Sequence, residues 1–335
     1  MSLTVPAYYK DRLANRELSW EKTNEINVGL DFGFFNSRIN GAIDVYRRDA
    51  KDLIMERKLP STSGWTSIWD NIGHVRNVGV ELQLNTVNVQ TKDFTWETGF
   101  TFSKNHNELI ELYGGKKDDV TNKWFIGEPI DVNYDYVFDG IWQTDEAEQA
   151  AVYGQKPGQV KVRDIDGNKV IDADDKQILG QRSPKWIGSI TSTFRYKDFD
   201  LSVYLYTQQG AQVQDAFMSS FMTFEGNYNQ LDVDYWTENN PSNEFPQPGN
   251  KGKYYDTMRY IDVSFVRVGS ITLGWNIPKE WTKKIGIKNA RLYFTTNNPF
   301  TFSSYKGFDP EWATQNTWGT VTGYTTYLIG TKIEF

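Results

Sequence analysis

The densest set of chemistry-bearing residues is the run from Asp164 to Asp175. Counting Asp164 as position 1, the side-chain oxygens of Asp164, Asp166, Asn168, Asp172 and Asp175 fall at positions 1, 3, 5, 9 and 12, with the Val170 carbonyl at 7. A hard cation takes about six to eight oxygen ligands, and this spacing curls them around one point, so Ca2+ is the cofactor the loop would hold if it holds one. Lys169 stands where such loops place a turn-making glycine, and Asp175 is shorter than the usual bidentate glutamate. An acidic Asx-turn loop on a solvated surface is the competing reading.

Aromatic faces are the second resource. Trp65, Trp69, Trp142, Trp236 and Trp312 fall in predicted connections, as do Trp124 and Trp318, and the first five are the candidates for stacking on a ligand. Such rings also form small loop cores or contact partner proteins. Val213, Phe217, Phe221 and Phe224 sit near helical spacing and predict a short helix within its loop. His74 and His106 are the only histidines, and neither has a convergent partner in the pattern. There is no cysteine, and no nucleophile, zinc or phosphate-loop motif occurs. Asp118-Asp119 and Asp174-Asp175 are neighbours in loops, with nothing to fix them at the separations that hydrolysis of sugars requires. The chain reads as a non-enzyme.

The elements that must position these residues alternate with period two. Ile26, Val28, Leu30, Phe32 and Phe34 are apolar, and the residues between them are polar or glycine. After a turn at Asn36-Ser37, Ile39, Gly41, Ile43 and Val45 repeat the pattern. Val78 to Leu84 with Phe94 to Phe102 form a second hairpin, and Trp186 to Tyr196 with Leu201 to Leu205 form a third. A strand from Tyr260 to Ile277, another through Leu292 and Phe294, and a last one ending at Phe335 bring the total to nine. Short turns at 35–38, 89–92, 197–198 and 278–288 alternate with long loops at 49–73, 106–184, 208–259 and 299–323. Strand pieces are expected within 126–142 and a short helix near Glu146 to Tyr153. The first hairpin is about ten residues tall on each side, the length that a tilted strand needs to cross a bilayer, and membrane barrels put short turns on one side and long loops on the other. The expected fold is all-β, an antiparallel transmembrane β-barrel portion of about nine or ten strands over residues 24–335, led into by residues 1–23.

Composition agrees. Aromatic residues make up 15%, with 12 Trp and 19 Tyr, as interfacial girdles require. No apolar run reaches the roughly 18 residues of a membrane helix. The net charge of −7 without a polybasic stretch excludes nonspecific nucleic-acid binding, which depends on displacing counterions from phosphate. Residues 1–23 show no apolar leader pattern.

Asn71-Ile72-Gly73 followed by Asn77-Val78-Gly79-Val80-Glu81 resembles the N-x-G-x-x-x-N-x-G-x-E signature of the SusC/RagA-type TonB-dependent outer-membrane transporters of Bacteroidetes. Seven further fragments agree in the same order: Leu18-Ser19-Trp20-Glu21, Gly29-Leu30-Asp31, Tyr46-Arg47-Arg48 before Asp52-Leu53, Tyr196 to Leu201, Ile271 to Gly274, Asn298-Pro299-Phe300, and Gly307-Phe308-Asp309-Pro310-Glu311. The resemblance runs from about Asn15 to the last residue. It implies the C-terminal part of a barrel of about 22 strands, with Phe335 as the terminal aromatic that barrel assembly reads. It also implies a SusD-like surface lipoprotein as partner, TonB acting only through a plug region with no counterpart here, and an oligosaccharide or peptide substrate. The family often carries an acidic loop of D-x-N-G-D-G type where Asp164 to Asp175 lies. The competing function is a soluble, β-rich, Ca2+-dependent carbohydrate-binding module. It would have to cover the apolar strand faces that lipid would otherwise cover.

Overall fold

The computed structural model describes residues 13–215, 221–222, 232–313 and 323–335. Fifteen strands are described: β1 (Lys22–Phe34), β2 (Ile39–Lys58), β3 (Ser67–Gln90), β4 (Phe94–Leu112), β5 (Val132–Tyr136), β6 (Phe138–Ile141), β7 (Val160–Val162), β8 (Lys176–Gln181), β9 (Trp186–Tyr196), β10 (Phe199–Gln209), β11 (Gln212–Gln214), β12 (Tyr260–Asp262), β13 (Phe265–Asn276), β14 (Asn289–Ser303) and β15 (Thr326–Glu334). Nine of them form one sheet in the order β1-β2-β3-β4-β9-β10-β13-β14-β15, which follows the chain without a crossover. The nine expected strands are all in it. β5 with β8, β6 with β7, and β11 with β12 make three small two-stranded sheets in the connections.

The described residues divide into two compact units. One comprises Met1–Gly29, Asp44–Val80 and Asn105–Ile130 within the described range, and the other Leu30–Ile43, Glu81–Lys104 and Asp131–Phe335. In the second unit the register shows how period two becomes two chemically different faces. Phe94 pairs with Tyr196, Tyr196 with Phe199, Phe199 with Trp275, and Trp275 with Leu292. The next row on that face is Trp96, Phe194, Leu201, Leu273, Phe294 and Ile329. Trp96 stacks on Phe194 at 5.6 Å and Phe199 on Trp275 at 6.1 Å, beside the short turns, where a barrel places an aromatic girdle. These residues are exposed for want of a protein cover, Leu273 to 50% and Ile329 to 77%.

The other face is polar and hydrogen-bonded. Arg195 Nη1 lies 2.6 Å from Glu97, Thr101 Oγ1 is 2.7 Å from Ser189 Oγ, and Thr272 is 3.0 Å from Thr295. The Asp200–Arg291 ion pair, 2.5 Å long, folds over Gly274, where a Cβ would meet both side chains. A tyrosine ring lies over a glycine in the same way at Tyr293 and Gly330, and in the first unit at Tyr46 and Gly79. At the first hairpin Phe35, Asn36 and Ser37 all take left-handed backbone (φ 55, 56 and 64) and Arg38 N–H closes the turn on the Phe35 carbonyl at 3.3 Å.

Strand ends depart from expectation. The loop read as 49–73 is reduced to 59–66, because β2 and β3 run on as a long hairpin of 20 and 24 residues. Beyond the apolar band their side chains need not alternate, so the sequence pattern stops before the strands do. β4 continues to Leu112, the strand expected from Tyr260 breaks at Val263-Ser264 into β12 and β13, and β14 extends to Ser303. The loops begun at 106, 208 and 299 therefore start later, at 113, 210 and 304. The connection expected at 278–288 contains a helical turn, Lys279–Thr282, and is longer than 59–66, so strict alternation of length fails at this pair. Val213 lies in β11 rather than in a helix, while Phe217 and Phe224 lie outside the described residues. The strand pieces and the helix (Ala147–Val152) expected between Ile126 and Tyr153 are present.

Two outcomes test this arrangement. In vesicles with brominated acyl chains, fluorescence of a variant retaining Trp96 and Trp275 should be quenched, and that of a variant retaining only Trp142 and Trp236 should not. Gly79→Val would drive its side chain into the Tyr46 ring and should cost about 1–3 kcal/mol, read as a lower temperature for loss of the compact, fast-migrating form on unheated gels.

Candidate functional site

The acidic loop follows β7 and closes on a short 3-10 turn, Ala173–Asp175. It is built by carboxylates accepting from the loop's own backbone. Asp164 Oδ1 accepts from Gly167 N–H at 2.8 Å, and its Oδ2 accepts from Lys169 N–H at 2.9 Å and from the Tyr153 hydroxyl at 3.1 Å. Asp166 accepts from Asn168 N–H at 3.0 Å, Asn168 Oδ1 from Val170 N–H at 2.7 Å, and Asp172 from Asp174 N–H at 2.9 Å. Asp175, fully buried, accepts from Ile165 and Asp172 N–H at 2.7 and 2.9 Å. Lys169 adopts φ 65, the left-handed turn for which a glycine was expected.

Asp164, Asp166 and Asp175 each place one oxygen within 4.8 Å of the others. Asp172 caps the 3-10 turn instead of joining them. Burial pulls the Asp164 carboxyl up, but the Lys169 and Gly167 N–H groups and the Tyr153 hydroxyl outweigh it and hold the pKa below the usual range. The donor set, three carboxylates with the Asn168 amide and Val170 carbonyl alongside in sequence, suits a hard cation.

The tryptophans separate into two groups. Trp142 and Trp236 are each 3% exposed. Trp142 Nε1 donates to Gln155 Oε1 at 2.8 Å, and its ring packs against Tyr153 and under Lys161. Trp236 Nε1 donates to Gln143 Oε1 at 2.9 Å and joins a core with Ile141, Val160, Val162, Tyr254 and Tyr255. Both rings are covered by neighbouring protein groups, unlike those of the exposed tryptophans. Trp69, in β3, is 42% exposed, and Trp312, in the turn Pro310–Ala313, is 39% exposed. Trp65 is half-buried in the 59–66 connection, Trp124 packs against Met55, Ile72, Val75, Leu109 and Leu112, and Trp318 lies outside the described residues.

A buried charge cluster that the sequence pattern did not single out ties a connection to the sheet. Arg267 in β13 is 2% exposed. Its Nη2 donates to Asp309 at 2.6 Å, Nη1 to Glu311 at 2.7 Å, and Nε to Thr301 at 2.9 Å, while Tyr206 donates to Glu311 at 2.8 Å. Asp309 and Glu311 belong to the Gly307-Phe308-Asp309-Pro310-Glu311 fragment. Alongside, the Tyr305 hydroxyl donates to Asp215 at 2.5 Å, and burial with that carboxylate pushes the phenol well above its usual pKa. The visible signal was an arginine set among Phe265, Val266 and Val268, with an acidic pair some forty residues later.

The signature asparagines are structural hubs. Asn71 Oδ1 accepts from Ser19 N–H at 2.7 Å, and its amide donates to the Ser19 and Asp52 carbonyls at 3.0 and 2.7 Å. Asn77 Oδ1 accepts from Asn105 and Asn107 at 2.9 and 3.0 Å. His74, unpartnered in the sequence pattern, lies 2.9 Å from Asp49. On the polar face of the second unit, Asn40, Gln83, Asn85, Glu97, Thr101 and Thr193 line an open cavity of about 490 Å3. Phe335 follows β15 and is 82% exposed.

The comparisons converge. Residues 2–298 match the family described as TonB dependent receptor-like, beta-barrel. The chain is 31% identical to TonB-dependent receptor SusC of Bacteroides thetaiotaomicron over 334 residues, covering 96% of this chain and 32% of that protein. It is 31% identical to TonB-dependent receptor P3 of Formosa agariphila over 315 residues, covering 89% of this chain and 31% of that one. The chain thus spans about a third of the length of these relatives. Among solved structures, the RagAB peptide transporter superposes with a TM-score of 0.80 at 26% identity, over 99% of this chain and 38% of that chain. With a two-faced antiparallel sheet, stapled outer connections and this match along most of its length, the chain belongs to the TonB-dependent receptor β-barrel family of the outer membrane.

Proposed function

We propose that the chain forms the C-terminal wall of an importer that carries oligosaccharides or peptides across the outer membrane. The observation that carries this reading is the sheet's division into a continuous apolar face and a continuous polar one, which suits a wall between lipid and an aqueous lumen. Glu81 and Asp31 share the polar side by strand parity, where both would face a plug, with Glu81 alternatively bracing the lumen wall. In this reading a SusD-like lipoprotein covers the long connections, TonB acts through a plug region, and Phe335 serves barrel assembly. One relative is titled a peptide transporter and another is named SusC, and the two leave both substrate classes open. The soluble carbohydrate-binding module is not favoured, because its apolar rows would stand bare in water.

Trp69 and Trp312, which are exposed, are the proposed ligand-stacking residues, and the half-buried Trp65 is a third. Uptake of labelled substrate by cells carrying Trp69→Ala or Trp312→Ala should fall about five-fold at subsaturating concentration, as the loss of about 1 kcal/mol of aromatic contact predicts. Trp142→Ala should instead lower the amount of folded protein, because it empties a buried site worth about 3–5 kcal/mol. Unchanged uptake in both exposed variants would remove the tryptophans from the account.

For the acidic loop we propose Ca2+ as ligand, held by Asp164, Asp166 and Asp175 with Asn168 and the Val170 carbonyl. The ion would neutralise three carboxylates and brace the connection, and it has no step in transport. Millimolar Ca2+ should raise the thermal midpoint of the wild-type protein and leave that of Asp164→Asn/Asp166→Asn unmoved. No response in the wild type would make the loop a self-sufficient Asx-turn structure.

A further inference from the structure

On the apolar side of the first unit, the stripe gives way to charge. In β2 Val45 is followed on the same face by Arg47, Asp49 and Lys51, and in β3 Val80 and Val78 lead to Arg76 and His74. Parity is anchored by the opposite face, where Tyr46 lies over Gly79 and reaches Asn105, itself bonded to Asn77. The change occurs on the side of the long connections, about ten residues past the Phe35–Ser37 turn, where a tilted strand has cleared the hydrocarbon.

The cluster is organised around one carboxylate. Asp49 Oδ2 accepts from Arg47 Nε at 2.7 Å, and Oδ1 accepts from Arg76 Nε at 2.9 Å with His74 Nε2 also at 2.9 Å. Asp49 is 15% exposed, while Arg47 and Arg76 are 52% and 25% exposed. Each guanidinium donates its Nε to Asp49, which ties both planes to one carboxylate, and each carries its remaining donors on its two terminal nitrogens. Next to the cluster, Lys22 pairs with Asp52 at 2.8 Å.

We propose that Arg47 and Arg76, braced by Asp49, bind the phosphate groups of a phosphorylated glycolipid in the outer leaflet. Two guanidinium forks match phosphate oxygens in geometry and charge. Directly below them Val45 and Val78 are 51% and 41% exposed, and Ile26 and Val28 are each 70% exposed on the neighbouring strand. A molecule with anionic groups above and acyl chains below fits that succession of surfaces, whereas a soluble anion would use only its top. Depth agrees as well: an outward arginine costs about 2–4 kcal/mol at the bilayer midplane but roughly 0–1 kcal/mol at the interface. The proposal rests on the outer-membrane reading of the chain.

The test uses the full-length protein extracted from native outer membranes in mild detergent, with bound glycolipid measured as phosphate and fatty acid per protein. Each basic group near an anionic leaflet is worth about five-fold in affinity. Arg47→Gln/Arg76→Gln should therefore weaken binding of added glycolipid roughly 25-fold. Arg47→Lys/Arg76→Lys, which keeps charge and loses the forks, should fall between that variant and the wild type. Heat-modifiable migration on gels identifies folded protein for both variants. Equal glycolipid retention by folded wild type and glutamine variant overturns the proposal, as does full displacement by inorganic phosphate at equal concentration. Loss of a co-purifying protein with lipid unchanged also overturns it, in favour of a protein dock. Absence of the protein from the outer-membrane fraction would instead overturn the functional reading beneath it.

Discussion

Everything in this molecule depends on the fact that hydrocarbon offers no hydrogen bonds to a peptide backbone. A chain that crosses it must satisfy each N–H and C=O internally, and strands do so only when a neighbour lies on both sides. The nine-stranded sheet meets this demand along its length, each strand pairing with the next in chain order. With the backbone satisfied between strands, side chains are free to specialise by face. One face shows Phe94, Trp96, Phe194, Leu273 and Phe294, and the other is laced by Glu97–Arg195, Asp200–Arg291 and threonine pairs. β1 and β15 end the order, and membership of a family whose relatives are about three times as long explains how such edges are acceptable.

The long connections obey a different rule, because they stand in water and must build cores of their own. Ile141, Val160, Trp236, Tyr254 and Tyr255 form one such core, and Trp124, Ile126 and Ile130 pack onto another supplied by the strand ends through Met55, Ile72, Val75, Leu109 and Leu112. Arg267 adds an anchor of another kind. Removing one partner of a buried ion pair costs about 3–5 kcal/mol, since the remaining charge is stranded. The Arg267–Asp309–Glu311 cluster is therefore stabilising only as a complete set, and it fixes the fragment Asp309 to Glu311 against β13. A connection fixed at its base in this way can present Trp312 without depending on its own short helical turn for position.

How much of this was legible in the sequence follows from the same two rules. Where lipid faces one side and water the other, period two is forced, and the strands through Ile26 to Phe34 or Phe94 to Phe102 could be read directly. Past the membrane both faces are wet and alternation is no longer required, so the end of β2 from 49 and the start of β3 up to 73 carry no strand pattern in the sequence. The acidic loop was legible because Asx turns depend on neighbours in sequence. Trp142 and Trp236 were not, since burial there depends on Gln155, Gln143 and Tyr254, which the fold brings from elsewhere. Arg267, and Arg76 with His74 around Asp49, were missed for the same reason: their partners lie on other strands or connections. The quoted asparagines and glycines carried the family resemblance, and their reasons, hydrogen-bond hubs at Asn71 and Asn77 and a ring over Gly79, became visible only in three dimensions.

The central claim is that successive connections of the nine-stranded sheet lie on opposite sides of the outer membrane. The chain has no cysteine, so within it a single introduced thiol reports one position, read against the protein without that thiol. Lys169→Cys lies in the acidic loop and Lys197→Cys in the β9–β10 turn. With a membrane-impermeant maleimide on intact cells, the account predicts labelling at 169 and none at 197 until the outer membrane is opened. Labelling at 197 in intact cells, or none at 169, would contradict it.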